Sequence, residues 1–449
     1  MKGKEIKNRA TMLRSDESIR SSEIKRMNSL LRGRLAVSLL FIAVCVFPFA
    51  SRAHEPITTK VRFNKELVRI LQRNCLSCHH PGGIAMSLAT YEEARPWAKA
   101  IKEEVLEKRM PPWRAVKGYG DFRNAPSLTQ RDVDLIANWV EGGAPKGDDK
   151  DLPPGPLFST DWQLGQPDLI LKPPSESKIA ADADECRKFV LPTNLKETRW
   201  LSAIDLKPGN AAVVRGARIQ LSWSVTGYTA ISGLHRSQKS TTVMREVPAV
   251  ATWLPGQKVF AFDEGTALRI PANTLIEVTI HYRGSGEAVE DRSSVGLYFA
   301  KSAPRNQVRF LIQNTGASEV IQVSKEPQRI KQSLAIDDAI EGIGIRPLVH
   351  PLIASIQATA YRPDGSEEVL IWTRGYQFDW EATYYFKKPV TLPKGTRVEV
   401  IAYFDNSDDN QNNPSSPPRA MRLSELSSEP LCTLLVATSD AASTPPATR

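Results

Sequence analysis

Apolar positions along this 449-residue chain change their spacing twice, and the changes divide it into three stretches. The first is a continuous run, LAVSLLFIAVCVFPFA (Leu35–Ala50), behind the basic RGR of Arg32–Arg34. Ser51 and Ala53 then supply small residues at −3 and −1 of a cleavage point. Basic, apolar and small residues in that order spell a secretory signal peptide, and the run is short for a membrane span. Residues 1–53 are expected to be removed on export, with Met27 as an alternative start. An uncleaved membrane anchor is the other reading.

The second stretch follows a helical period. VRFNKELVRILQRN places Phe63, Leu67, Val68, Ile70 and Leu71 on one face. TYEEARPWAKAIKEEVLEKR opens with Thr90 and Glu93 at capping-box spacing, and Pro96 must shorten or bend that helix. LTQRDVDLIANWVEGGAP offers Thr129 as N-cap and Val133, Ile136, Trp139 and Val140 as a stripe, stopped by Gly142 and Gly143. An all-α domain of the small cytochrome c plan is expected over 54–146. A polar, Pro-rich connector follows over 147–165. Beyond it the period shortens. AVVRGARIQLSW, TLIEVTIHY, SVGLYFA, SIQATAYR, EVLIWT and RVEVIAYF are short, rich in β-branched and aromatic residues, and punctuated by turn formers. They predict an all-β region of two antiparallel, jelly-roll-like sandwiches, 166–303 and 304–438, with a disordered tail over 439–449.

Chemistry concentrates where the first predicted helix ends. Residues 74–83 read NCLSCHHPGG, and Cys75, Cys78 and His79 form a CxxCH, the attachment signature of a c-type haem. Two thiols three positions apart can add to the two vinyl groups on one porphyrin edge, and the next residue offers an imidazole to the iron as proximal ligand. No second CxxC or HxxxH follows to complete a zinc tetrahedron, and no βαβ pattern suggests a thioredoxin-like redox pair. One covalent haem c is the expected cofactor. Its distal ligand is assigned to Met110, in the Pro-containing loop KRMPPW, whose soft thioether favours ferrous iron. Met86 and His80 are the competitors, and Trp113 is expected near the haem edge.

Charge adds little once the leader is set aside. The formal net charge is +9, yet residues 1–53 alone hold 11 Lys and Arg against 4 Asp and Glu. A nearly neutral remainder excludes the electrostatic footprint of a nucleic-acid binder. Four cysteines remain after the leader, two of them in CxxCH, so this is no disulfide-dense scaffold; Cys186 and Cys432 are expected to stay unpaired. The segment DNSDDNQNNP (Asp405–Pro414) is rich in oxygen ligands but lacks an EF-hand pattern, and a loop-structuring role is expected.

Taken together, CLSCHHPGG, SLATYEEARPWA, RMPPW and NWVEGGAPKGD, followed by ECRKFVLP, IDLKPGNAAVV, WLPG, IPANTLIEVTIHY, YRPDG, LPKGTRVEVIAYFDNS and SSEPLC, have a family resemblance. The chain resembles a bacterial cytochrome c domain fused to a copper type II, ascorbate-dependent monooxygenase-like region, similar to peptidylglycine alpha-hydroxylating and dopamine beta-monooxygenases. The resemblance implies two mononuclear copper sites, and this sequence departs from both. It keeps His281 and His350. The adjacent His-His pair of the first site falls on Arg215 and Gly216, the second histidine of an HxH on Leu352, and the late Met on Pro430 or Leu431. Four of six ligand positions thus carry no copper ligand, and after the linker the histidines are His235, His281 and His350. His281 and His350 are read as vestigial copper positions, and no bound copper is expected.

The expectation is therefore an exported, periplasmic electron-transfer protein whose monooxygenase-like β region acts as a binding or docking module. Its partner would be a redox protein or a small-molecule electron donor or acceptor, with no nucleic acid and with membrane contact only if the leader is uncleaved. Two alternatives stay open. One is a copper monooxygenase, an oxidoreductase supplied with electrons by its own cytochrome; the other is a scaffold or sensor in which the haem is structural.

Overall fold

Alternation of side chains is clearest in the strand Leu275–Arg283, where Ile276, Val278, Ile280 and Tyr282 are buried and the residues between them are not. A strand with one face in a core and one toward solvent produces this period of two. Twenty strands are found among the residues that the computed structural model describes, which are 58–126, 128–156, 158, 161–225, 243–312, 319–375, 381–426 and 430–439. The leader, His235 and the C-terminal tail lie outside them.

The first ten strands are β1 (Leu169–Leu171), β2 (Ser177–Ile179), β3 (Asp184–Pro192), β4 (Arg199–Lys207), β5 (Val214–Val225), β6 (Val243–Trp253), β7 (Thr266–Ile270), β8 (Leu275–Arg283), β9 (Val289–Asp291) and β10 (Ser294–Phe299). The second ten are β11 (Asn306–Ile312), β12 (Val320–Ile321), β13 (Gln328–Ala335), β14 (Ile340–Pro347), β15 (Ile353–Tyr361), β16 (Glu367–Arg374), β17 (Tyr384–Leu392), β18 (Arg397–Phe404), β19 (Met421–Arg422) and β20 (Cys432–Ser439). One eight-stranded sheet runs β1-β10-β4-β7-β11-β20-β14-β17, and two four-stranded sheets run β3-β8-β5-β6 and β13-β18-β15-β16. Each four-stranded sheet contributes to its own apolar core. Ile219, Leu221, Ile276, Val278 and Ile280 belong to the first; Ile330, Ile356, Ala358, Val398 and Val400 belong to the second.

The expected fold class needs correction. The chain is mostly β with a few short helices, and no all-α domain forms. The helices are α1 (Val68–Asn74), α2 (Tyr91–Ala94), α3 (Ala98–Leu106), α4 (Gln130–Glu141) and α5 (Leu423–Leu426). Helices this short are marginal in isolation and need a tertiary partner. Pro96 sits in a 3-10 turn, Arg95–Trp97, that separates α2 from α3. Between α3 and α4 the chain leaves the helices and joins the β region, and α4 then returns to pack with α1. Val116 N–H donates to Trp372 O at 2.7 Å and Arg123 N–H to Tyr385 O at 2.8 Å. Ala115 bridges to Thr373 and Phe122 to Phe386, and both apolar side chains lie in the second core.

The two expected sandwiches are also not separate bodies. β7 and β11 pair in parallel, with Asn306 opposite Thr266 and Gln307 opposite Ala267, so one sheet spans both halves. Ile343, Tyr385 and Leu435 from the second half help fill the first core. From Thr58 onward the chain forms one compact unit. The helical period of 57–146 records short helices that share an apolar cluster of their own, within a unit that is mostly β.

Candidate functional site

The CxxCH is positioned by a small apolar cluster. A π-helical turn, Phe63–Leu67, leads into α1, and together they bury Phe63, Leu67, Val68, Ile70 and Leu71. Ile136, Trp139 and Val140 of α4 complete that cluster. Phe63 meets Tyr91 edge-on at 5.6 Å and tilts against Trp139 at 6.0 Å. Trp139 Nε1–H donates to Pro145 O at 3.0 Å, so the buried indole leaves no polar atom unmet. α4 starts with a capping box in which Thr129 and Asp132 exchange hydrogen bonds.

At the end of α1 the chain tightens into a turn. Cys75 N–H donates to Leu71 O at 2.8 Å, Cys78 N–H to Cys75 O at 3.1 Å, and His79 N–H to Cys75 O at 2.9 Å. The two thiols and the imidazole therefore leave a single turn of backbone. Gly83 closes the motif: a Cβ there would stand 2.5 Å from Cys78 O, a distance no side chain tolerates.

Burial sets the protonation of this pair. Both sulfurs are free thiols. Burial, with Cys78 as a lesser cause, pushes the Cys75 thiol up to about 12, and burial also raises Cys78 against the Ser77 hydrogen bond. A thioether carries no charge, so conversion to thioethers suits their burial. The His79 ring is fixed from behind, with Nδ1 3.0 Å from Met86 O. A carbonyl only accepts, so Nδ1 carries the proton. Burial lowers the pKa of His79, which keeps the ring neutral with its lone pair on Nε2. An imidazole backed in this way is oriented and made more basic for a metal.

The rival ligands are otherwise engaged. His80 stacks on Phe158 at 4.3 Å between ring centres, with Nδ1 2.9 Å from Pro81 O. Met86 is exposed, and its carbonyl lies on the Nδ1 side of His79. Met110 is half-buried in the turn after α3, where its N–H donates to Glu104 O at 3.1 Å. Trp113, expected near the haem edge, packs instead on the second β core against Tyr384 and Phe122, at 4.8 and 6.0 Å between ring centres.

The sequence carried no signal for the wall that the β region builds against this motif. Cys78 S–H donates to Pro255 O at 3.2 Å, from the loop after β6. The next residue, Gly256, has φ +71°, and a Cβ on it would lie 2.6 Å from Cys78 Sγ and 2.8 Å from Ser77 Oγ. Arg215 of β5 donates from Nη1 to Ile84 O at 2.7 Å. Segments more than 130 residues away thus close over both sides of CxxCH.

The positions that the resemblance pointed to as former copper ligands look different. His281, on β8, lies opposite Cys186 of β3 and Gly216 of β5, and its Nε2 donates to Asp184 Oδ1 at 2.7 Å. His350 precedes β15, and its Nδ1 accepts from Leu352 N–H at 3.2 Å. Leu352 is wholly buried among apolar neighbours. Among the described residues, no group of three or more His, Cys, Asp or Glu could hold a metal ion. The residues at these positions do not fit the two-copper ligand set. Cys186 is exposed on β3 and Cys432 buried on β20. In Asp405–Pro414 the side chains hold their own loop: Ser407 Oγ donates to Asp405 Oδ1 at 2.6 Å, Asn406 Nδ2 to Arg419 O at 2.9 Å, and Asn410 Nδ2 to Pro351 O at 3.2 Å.

No protein-family description matches this chain, and no curated protein does. Among solved structures it is similar to an allantoicase at 9% identity, over 50% of this chain and 76% of that one, with a TM-score of 0.16. A tandem CBM22 domain pair from Paenibacillus barcinonensis Xyn10C matches at 9% identity over 61% and 94%, TM-score 0.15. Bacillus subtilis oxalate decarboxylase matches at 8% identity over 66% and 82%, TM-score 0.12. Likeness this slight carries no argument about fold or function.

Proposed function

We propose that this chain is an exported c-type haem protein that transfers electrons, with its β region serving as the docking or binding module for a redox partner. The observation that carries the reading is the His79 ring, neutral and backed through Nδ1 by the Met86 carbonyl, directly after two half-buried free thiols at vinyl-matching spacing. These residues fit a haem bound through thioethers at Cys75 and Cys78, with His79 Nε2 on the iron and Met110 as second ligand. When bound there, haem supplies a one-electron ferric–ferrous couple.

The chain's own residues do the rest. Cys75 and Cys78 tether, and the Met86 carbonyl orients His79 and strengthens it as a donor. The Met110 thioether favours the reduced ion. Leu71, Leu76 and Leu88, all buried, surround the motif with apolar side chains that exclude water. The experiment is metal quantitation with an optical spectrum on protein matured in a host competent for c-type haem attachment. One iron, no stoichiometric copper, and a weak near-infrared sulfur-to-iron band lost in Met110→Ala but kept in Met86→Ala is the expected result. Stoichiometric copper would favour the monooxygenase reading instead.

A further inference from the structure

We propose that Arg215 is a positioning residue for His79, acting through the backbone of residues 84–86, so that the first half of the β region sets how firmly the axial imidazole is held. The proposal rests on the haem reading only for what His79 ligates; the contact itself is independent of it.

Arg215 stands where β5 departs from regular pairing. Val214 lies opposite Tyr282 and Gly216 opposite His281, so Arg215 is the extra residue of a bulge. A bulge breaks the alternation of a strand and re-aims one side chain, and bulges collect beside functional sites. Here the re-aimed guanidinium donates from Nη1 to Ile84 O at 2.7 Å. Two residues later, Met86 O accepts from His79 Nδ1–H at 3.0 Å, and Leu88 N–H returns to His79 O at 3.0 Å.

The short segment that backs the imidazole is therefore gripped at one end by His79 and at the other by the β sheet. Arg215 is half-buried, so its charged hydrogen bond is partly shielded from water and stronger than a surface contact. Its charged neighbours oppose each other: Arg283 disfavours the cation and Asp184, which itself accepts from His281, favours it.

The test uses the full exported chain with Arg215→Leu, Arg215→Lys and, as a neighbour that does not touch the loop, Asp184→Asn. Readouts are hydrogen exchange of the Leu88 amide by mass spectrometry and water exchange of the His79 Nδ1 proton by NMR. In Arg215→Leu both are expected to speed up about tenfold, while amides of β5 and β8 keep their protection. Arg215→Lys, which can still donate to Ile84 O, restores most of the slowing, and Asp184→Asn matches wild type. Unchanged exchange in Arg215→Leu overturns the proposal. So does loss of protection across β5 and β8, which would make Arg215 a residue of the fold alone. The Leu88 amide reports with or without haem, so a failure of the haem reading is told apart from a failure of this one.

Discussion

His79 and His281 are both half-buried imidazoles, yet they bond through opposite ring nitrogens. His79 spends Nδ1 on a neutral carbonyl, which holds the ring and keeps the lone pair on Nε2. His281 spends Nε2 on the carboxylate of Asp184. Each arrangement leaves one ring nitrogen with its lone pair, Nε2 in His79 and Nδ1 in His281. The rings differ in their backing group, a neutral carbonyl against a carboxylate, and in what precedes them, two thiols in one turn against a regular strand. What a histidine can do is thus decided by which nitrogen its partner takes.

The largest effect expected from this contrast is spectroscopic. His79→Ala should abolish the low-spin haem spectrum of loaded protein, while His281→Ala leaves its band positions unchanged. Equal loss in both variants would erase the distinction between the two rings. Next in size is the cluster that aims His79. Trp139 is 1% exposed, and Trp139→Ala should destabilise the chain by about 3–5 kcal/mol, read from chemical denaturation. Gly256→Ala comes third, at about 1–2 kcal/mol from its left-handed backbone, with further loss from the clash with Cys78 Sγ. Gly155→Ala, with nothing within 4 Å of its added Cβ, is the matched control and should be close to neutral.

The smallest effect is a pH dependence in haem-free protein. Burial raises Cys75 from 9.0 to about 12, so the unfolded chain ionises first as pH climbs. Stability from the neutral buried thiol is complete below pH 9 and declines as pH rises toward 12. Cys75→Ser should flatten that decline in a denaturation series across this range. Attachment of haem should flatten it too, because a thioether has no proton to lose.

Local structure was legible in the sequence to a useful depth. TLIEVTIHY covers β8 up to its last residue, RVEVIAYF is β18, and SVGLYFA contains β10. Thr90 with Glu93 is a capping box, and Pro96 breaks its helix as its ring and missing N–H require. CxxCH was legible because its chemistry depends on adjacent residues. Long-range assembly was not. Nothing in the helical period of 57–146 distinguishes a free domain from a layer packed beside a sheet, and nothing near Trp113 shows that the next dozen residues dock on β16 and β17. The contacts of Arg215 with Ile84 and of Pro255 with Cys78 join segments whose local patterns are complete without each other. Periodicity tells a strand which face to bury and leaves its partner unnamed.

The account stands on porphyrin carried covalently by Cys75 and Cys78, and acid–organic extraction of exported protein tests that most directly. Soret absorbance should stay with the polypeptide after unfolding and extraction, and intact mass should rise by one haem, with both signals gone in the Cys75→Ser, Cys78→Ser double variant. A colourless chain of unmodified mass, or pigment that leaves with the solvent, would contradict it.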